Sequence, residues 1–417
     1  MIKDMANEAR LIPDDRPRRT TAGETRLPRY FARCFGVAQG MRAGRLDIGL
    51  PDGRLFRAEG AEPGIEARID IHDREVFAGL VREGYLGFCE AYLDGAWSTP
   101  DLQAFLDLLN DDNDNIYDGY PGQTLAQTYE RIRFWFKRNS KSQARRNIEY
   151  HYDLGNEFYA LWLDGTMTYS SALFETGADS LEEAQTAKYR ALVDAMGVKP
   201  GDHVLEIGCG WGGFAEYAAA ERGLRVTGLT ISPAQLAHAR ERIARAGLAD
   251  RVELKLQDYR DERGRFDGVA SIEMFEAVGE RYWPVFFDTL RDRLKPRARA
   301  ALQIITVEDR RFESYRREVD FIQKYIFPGG MLPGPAVLRE QVRRAGLRVL
   351  GSREFGQSYS ETLRRWHARF YARWPEIAAQ GFDARFRRMW EFYLASCAAA
   401  FKGGSCDVTQ ITLARSG

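Results

Sequence analysis

Four glycines fall within residues 208–213 of the run VLEIGCGWGGF, between an apolar strand pattern and a helical one. Without a Cβ, Gly208, Gly210, Gly212 and Gly213 let a ligand approach the main chain, and the helix start offers free N–H groups. Such a turn alone also suits the pyrophosphate of a nicotinamide or flavin dinucleotide. Two features separate the cases. Glu206 precedes the glycines inside the strand, and the spacing is G-C-G-W-G-G rather than G-x-G-x-x-G. Thr230 closes the next strand, where a dinucleotide-binding chain usually carries an acid for the ribose. Gln257, Asp258 and Tyr259 follow the third strand, where an adenine amine commonly finds its acceptor. Together these residues point to S-adenosylmethionine as cofactor and to methyl transfer. Cys209, inside the loop, is read as a small packing residue rather than a nucleophile.

The elements that must position these residues alternate. Strand patterns at 203–209, 225–231, 251–257, 266–274 and 298–306 are interleaved with helical patterns at 212–223, 233–247 and 284–296. This order predicts an open, mainly parallel sheet with helices on both faces, and ligands in such sheets bind at the carboxyl ends of the strands. Helical insertions after residue 310 would cap the pocket. Upstream, GRLDIGLPDGRLFRAEG alternates around a PDG turn and reads as a hairpin, with helices following at 75–97 and 101–110. The expected division is a disordered stretch 1–26, a small α+β domain 27–117, a linker with a basic aromatic helix 118–147, and an α/β domain 148–417.

The bulk numbers add exclusions. The chain has 417 residues, and 60 basic side chains balance 60 acidic ones, so net charge names no partner. With no basic excess and no recognised motif, nothing points to nucleic acid. Five scattered cysteines without a CxxC pair suggest neither a disulfide framework nor a zinc site. No stretch approaches the roughly 20 apolar residues that span a bilayer, and the N-terminus has no signal-peptide core. The expected location is cytoplasmic, with any membrane contact peripheral. Residues 131–146, RIRFWFKRNSKSQARR, carry seven basic side chains and no acid around Phe134, Trp135 and Phe136. Two readings stand side by side: an anionic membrane contact, or a solvated helix whose aromatics pack inward.

The chain also resembles the cyclopropane fatty acid synthase family, including its mycolic-acid relatives. The resemblance rests on HYDLGNEFYALWLDGTMTYSSALF, VLEIGCGWGGFAEYAA, VTGLTISPAQ, QDYRD, EMFEAVG, KYIFPGGMLP, SYSETLRRWHARFYARWPEI and FYLASCAAAFKGG, which run in order through 148–417. It implies a class I, Rossmann-like methyltransferase domain. It further implies that a cis double bond of a phospholipid acyl chain attacks the cofactor's methyl group, leaving a carbocation from which a base removes a proton. Loss from the new methyl closes a cyclopropane, and another deprotonation gives a methyl- or methylene-branched alkene. The cofactor residues it implies are Tyr169, Ser170, Gly208, Gly210, Thr230, Gln235 and Gln257 to Tyr259.

At the catalytic centre the resemblance is partial. Ring-forming members hold a bicarbonate ion as base, using a Cys, a Glu, a His and a distant Tyr. Glu276 and Tyr359 match, but the Cys position is Ser171 and the His position is Gln303. Ile305 keeps the position whose backbone helps hold the anion, and Glu273 replaces the family's usual small residue. A bicarbonate would sit poorly beside a second carboxylate, because like charges repel. Glu273 is therefore expected to replace bicarbonate as base, or to stabilise the cation. This set resembles the tuberculostearic-type branch, whose members often work beside a flavin- or nicotinamide-dependent reductase.

Plainer readings accompany each of these. Glu273 and Glu276 could be structural ion-paired carboxylates, and Tyr359 a core tyrosine. Tyr325 and Phe327 could wall the acyl channel or merely pack a loop. The arginines of 364–390 could hold phosphate headgroups, while the interleaved aromatics are more often core. A homodimer would present two basic faces to a membrane. Two rival functions are a methyltransferase for a soluble small molecule and a non-catalytic lipid-binding relative.

Overall fold

The computed structural model describes residues 26–111, 154–175 and 179–416. The basic segment 131–146 and the expected linker 118–147 lie outside the described residues, as do residues 1–25 of the expected disordered stretch.

The chain divides into two compact units. The first holds a four-stranded sheet in the order β2-β1-β3-β4, made of β1 (Ala43–Gly49), β2 (Leu55–Glu59), β3 (Glu62–Ile71) and β4 (Trp97–Ser98). The expected hairpin forms: β1 and β2 are antiparallel, with Arg45 opposite Glu59. Its turn closes where Leu50 N–H donates to the Arg54 carbonyl at 2.8 Å, and Gly53 supplies the left-handed φ of 87°. The sequence reading lacked β3, which lies parallel to β1. The helical pattern at 75–97 becomes Val76–Leu93, broken at Gly84 where φ is 66°. Helix Ala384–Lys402, counted with 148–417 in the sequence reading, belongs to this first unit. Its apolar face meets Leu102–Asp111 and Val76–Leu93, with Lys402 bonded to Asp107 at 2.7 Å and Phe392 packed on Tyr92.

The second unit holds a seven-stranded sheet in the order β10-β11-β9-β8-β5-β6-β7. Its strands are β5 (His203–Ile207), β6 (Arg225–Thr230), β7 (Val252–Leu256), β8 (Phe266–Ile272), β9 (Leu294–Val307), β10 (Leu347–Glu354) and β11 (Cys406–Arg415). The five read from sequence run parallel to one another. The two that were not read, β10 and β11, add antiparallel at one side. Strand β11 was obscured because it is buried on both faces, so its residues show no in–out alternation. Two apolar cores cover the two faces. Trp283, Phe286, Phe287 and Leu290 pack on one, and Leu192, Val193, Phe214 and Ile243 on the other.

The chain order reverses between β5 and β8, and the crevice beyond the carboxyl ends of these strands is where such sheets take ligands. Local sequence fixes the helices that surround it. Ser180 and Glu183 form a reciprocal capping box at the start of Leu181–Met196, and left-handed Gly197 ends it. Ser232 caps Pro233–Arg245, with proline in the first turn, and holds the loop after β6 in place.

Candidate active site

The glycine turn after β5 is built as its residue types require. Gly208, Gly210 and Gly212 have φ of 87°, 51° and 86°, and no atom lies within 4 Å of where a Cβ of Gly210 would stand. The N–H groups of Gly208 and Cys209 both donate to the Leu229 carbonyl, tying the turn to β6. Cys209 is buried, and burial pushes its thiol well above the ordinary range, as suits a packing residue. Glu206 points into this region with one carboxyl oxygen buried and unpartnered among the described residues. Burial pushes its carboxyl up to about 8, against the charge of Lys188. Open space at Gly210 and an orphaned acceptor at Glu206 fit a ligand that brings its own donors, as S-adenosylmethionine does.

Thr230 Oγ1 donates to Gln235 Oε1 at 3.0 Å and accepts from Ser232 N–H at 3.1 Å, so the end of β6 is rigid. Beyond β7, Asp258 accepts from Arg260 at 2.8 and 2.6 Å, and Gln257 donates to Glu262 at 3.3 Å. The Tyr259 ring packs on Phe286. All three stand at the crevice, with Asp258 already engaged by a guanidinium.

The catalytic candidates converge on one carboxylate. Glu273 follows β8 immediately, with the left-handed φ of 47° that is uncommon for a residue bearing a side chain. Its Oε1 accepts from the Ser171 N–H at 2.8 Å and from Gln303 Nε2 at 2.7 Å. Its Oε2 accepts from the Tyr359 hydroxyl at 2.7 Å. Ser171 contributes its backbone, for its hydroxyl turns to the Ala172 carbonyl. Glu276, one 3₁₀ turn later, accepts from the Ile305 N–H at 2.5 Å, and its other oxygen is buried without a partner among the described residues. Among the described residues, the groups bonded to both carboxyls are neutral donors, and the charge of Lys188 acts on Glu273 from further away.

Burial raises both carboxyls, but unequally. For Glu273 burial is opposed by Gln303, Tyr359, the charge of Lys188 and the Ser171 N–H, all of which favour the charged form. Glu276 is pushed up to about 8 by burial first and by the charge of Glu273 second. Donors and the charge of Lys188 thus favour the charged form at Glu273, while burial beside Glu273 favours the neutral form at Glu276.

Lys188 and Gln185 were missed in the sequence. Lys188 is fully buried and donates to Ser170 Oγ at 2.7 Å and Gln185 Oε1 at 2.5 Å, while Gln185 Nε2 donates to the Ser170 carbonyl at 3.0 Å. Burial pulls the ammonium down to about 7, with Glu273, Asp164 and Glu206 holding it up. The available signal was two polar side chains on the buried stripe of a helix that also carries Leu181, Ala184, Leu192 and Val193. The Tyr169 ring stands in an aromatic cluster with Tyr159, Trp162, Trp366 and Phe327, at centroid distances from 5.4 to 6.2 Å.

Most arginines of the stretch are already ion-paired. Arg365 meets Glu361, Arg369 meets Glu182, Arg373 meets Glu376 and Arg387 meets Glu391. Of the seven interleaved aromatics, Trp366, Phe370 and Trp390 are core, Trp374, Phe382 and Phe386 are half-buried, and Tyr371 is exposed. No described helix is long and apolar enough to cross a membrane.

Comparison with known proteins shows the family. The family described as mycolic acid cyclopropane synthetase matches residues 139–411. A tuberculostearic acid methyltransferase, UfaA1 of Mycobacterium tuberculosis, is 42% identical over 358 residues, 83% of each chain. A cyclopropane-fatty-acyl-phospholipid synthase of Escherichia coli is 36% identical over 351 residues, 84% of this chain and 88% of that one. The solved mycolic acid cyclopropane synthase CmaA1, complexed with SAH and CTAB, superposes with a TM-score of 0.62 at 30% identity, over 64% of this chain and 97% of that one. With its Rossmann-like methyltransferase fold and matching motifs, this chain belongs to the mycolic acid cyclopropane synthetase family.

Proposed function

We propose that this chain transfers the methyl group of S-adenosylmethionine to a double bond of an unsaturated phospholipid acyl chain, and that Glu273 takes the proton the substrate then loses. The observation that carries this reading is the seat of the Glu273 carboxylate. Ser171, Gln303 and Tyr359 stand where the resemblance assigns the bicarbonate ligands, and all three donate to Glu273 instead.

S-adenosylmethionine supplies an electrophilic methyl group when bound. Ser170, Glu206, Gly208, Gly210, Thr230, Gln235 and Gln257 to Tyr259 would hold it, and the cluster around Tyr169 offers ring faces to positive charge. Glu273 is held by three donors that favour its charged form, so it stabilises charge developing on the alkene without reorganising. A C–H electron pair beside the cation then becomes the new C=C bond as the proton passes to Glu273. The product is a methyl- or methylene-branched alkene rather than a ring. The 42% identity to a tuberculostearic acid methyltransferase supports the branched outcome.

The finer partners belong to the same proposal. The acyl chain is taken from an anionic membrane surface, with the protein peripheral at the inner face of the cytoplasmic membrane. A separate flavin- or nicotinamide-dependent reductase saturates the branched alkene, and a homodimer strengthens the surface contact.

The test is mass spectrometry of phospholipid acyl chains after expression in a host without its own cyclopropane synthase. A gain of one methylene unit that still reacts in alkene derivatisation is the expected result. The same gain without an alkene would mean a ring and overturn the branched assignment. No gain in a host rich in oleate would overturn the substrate.

A further inference from the structure

We propose that Gln410 is a positioning residue that fixes the amide of Gln303 as a donor to Glu273, an inference that rests on Glu273 being the base. Gln303 lies on β9 and Gln410 on β11, directly opposite each other in the antiparallel register. Both side chains are buried, at 0% and 9% exposure, so water cannot serve in place of a protein partner. Gln303 Oε1 accepts from Gln410 Nε2 at 3.1 Å. The same Gln410 nitrogen donates to the main-chain carbonyl of Lys188 at 3.4 Å.

The direction of every bond in this chain follows from two groups that cannot reverse. A carboxamide has a donor end and an acceptor end, and either way round it fills the same volume. A main-chain carbonyl only accepts. The Lys188 carbonyl therefore assigns the nitrogen of Gln410 to its end of the network. That nitrogen requires the oxygen of Gln303 opposite it, which leaves Gln303 Nε2 for the far side. There it meets two acceptors, Glu273 Oε1 at 2.7 Å and the Ser171 carbonyl at 3.2 Å.

Without Gln410 the oxygen of Gln303 is a buried acceptor with no donor, and the amide loses the partner that presses its nitrogen towards Glu273. Anchored from one end only, the amide makes a weaker bond to the Glu273 carboxylate, one of whose three donors is thereby loosened. The ionised base becomes harder to form. The titratable groups that face Glu273 are Tyr359 from helix Gly356–Ala372, Lys188 from helix Leu181–Met196 and Glu276 from its own loop. None of them bonds to Gln410 except Lys188, through its main-chain carbonyl, so Gln410→Met changes the amide network alone.

The experiment is the pH profile of kcat with S-adenosylmethionine and dioleoyl phosphatidylglycerol vesicles. Gln410→Met is expected to move the acidic limb upward by about one pH unit, with the KM for S-adenosylmethionine unchanged. Gln410→Glu, which places an acceptor opposite Gln303, is expected to move it further. Gln303→Met should give the same shift as Gln410→Met, and the double variant no more than either alone, because both act through one bond. A Gln410→Met profile that overlays the wild type, or shifts that add in the double variant, would overturn the proposal. Thermal melting establishes that each variant folds, and Gln410→Thr carries the same expectation if the Met variant does not. Glu273→Gln in the same assay separates the two readings. If it stays active, the base assignment fails; if it is inactive while Gln410→Met overlays the wild type, only the positioning role fails.

Discussion

The Tyr359 hydroxyl donates to Oε2 of Glu273 across 2.7 Å, joining a helix to the end of β8 over 86 residues of sequence. Two positions that carry no relation in the chain thereby form one acid–base unit. The bond favours the charged carboxylate, against the burial that opposes it.

Tyr359→Phe removes that donor and little volume. The expected result is a fall in kcat of about ten-fold, with the acidic limb of the kcat profile moved to higher pH, since Glu273 then ionises less readily. A pH profile identical to the wild type would show that Tyr359 acts on something other than Glu273.

Glu273→Gln keeps shape and removes charge and basicity. Loss of a positioned base lowers kcat by roughly 10²–10⁴. Substrate-dependent formation of S-adenosylhomocysteine is the measurement, and activity within a few-fold of wild type would contradict the base assignment.

Restoring the ring-forming set should restore the external base. In Ser171→Cys/Glu273→Gly/Gln303→His, glycine also suits the left-handed φ of 47° at position 273. The expected outcome is activity that depends on added bicarbonate and a product without a residual alkene. Activity indifferent to bicarbonate would mean that the anion's place is not vacated by removing Glu273.

Glu276→Gln tests the protonated partner through stability. In the unfolded chain this carboxyl ionises near pH 4.3, while in the folded chain burial and Glu273 hold it at about 8. The folded state keeps a proton the unfolded state has lost, so the contribution present below the unfolded value disappears as pH rises towards 8. The slope is at most about 1.4 kcal/mol per pH unit for one proton. Glu206 titrates in the same direction, so the difference between wild type and variant isolates Glu276. Denaturant unfolding from pH 5 to 8 should show the wild type losing stability relative to Glu276→Gln; parallel curves would contradict the assignment.

Gly208→Ala forces a side chain into a left-handed turn, where its Cβ meets Met274 Cγ at 2.8 Å. The strain is roughly 1 kcal/mol or more. Titration calorimetry with S-adenosylhomocysteine should show affinity lowered by ten-fold or more, and unchanged affinity would place the cofactor away from this turn.

The cofactor turn was legible in the sequence because its demands are local. Left-handed φ at Gly208, Gly210 and Gly212 and an acid inside the preceding strand need only short stretches of chain. The five parallel strands were legible for the same reason, since their apolar runs and intervening helical patterns are contiguous. Strand β11 was not, because a strand buried on both faces loses its alternation.

The catalytic side chains could be named from their types, but only the fold decided what they do. Ser171 was singled out for its side chain and acts through its N–H. Lys188, Gln185 and Gln410 look like ordinary polar residues, and nothing in their spacing says that one network buries them. The sequence determined which carboxylates were present and where the backbone must turn. The tertiary structure decided which carboxylate is surrounded by donors that favour its charged form, because donor geometry and burial arise from segments brought together across more than 100 residues.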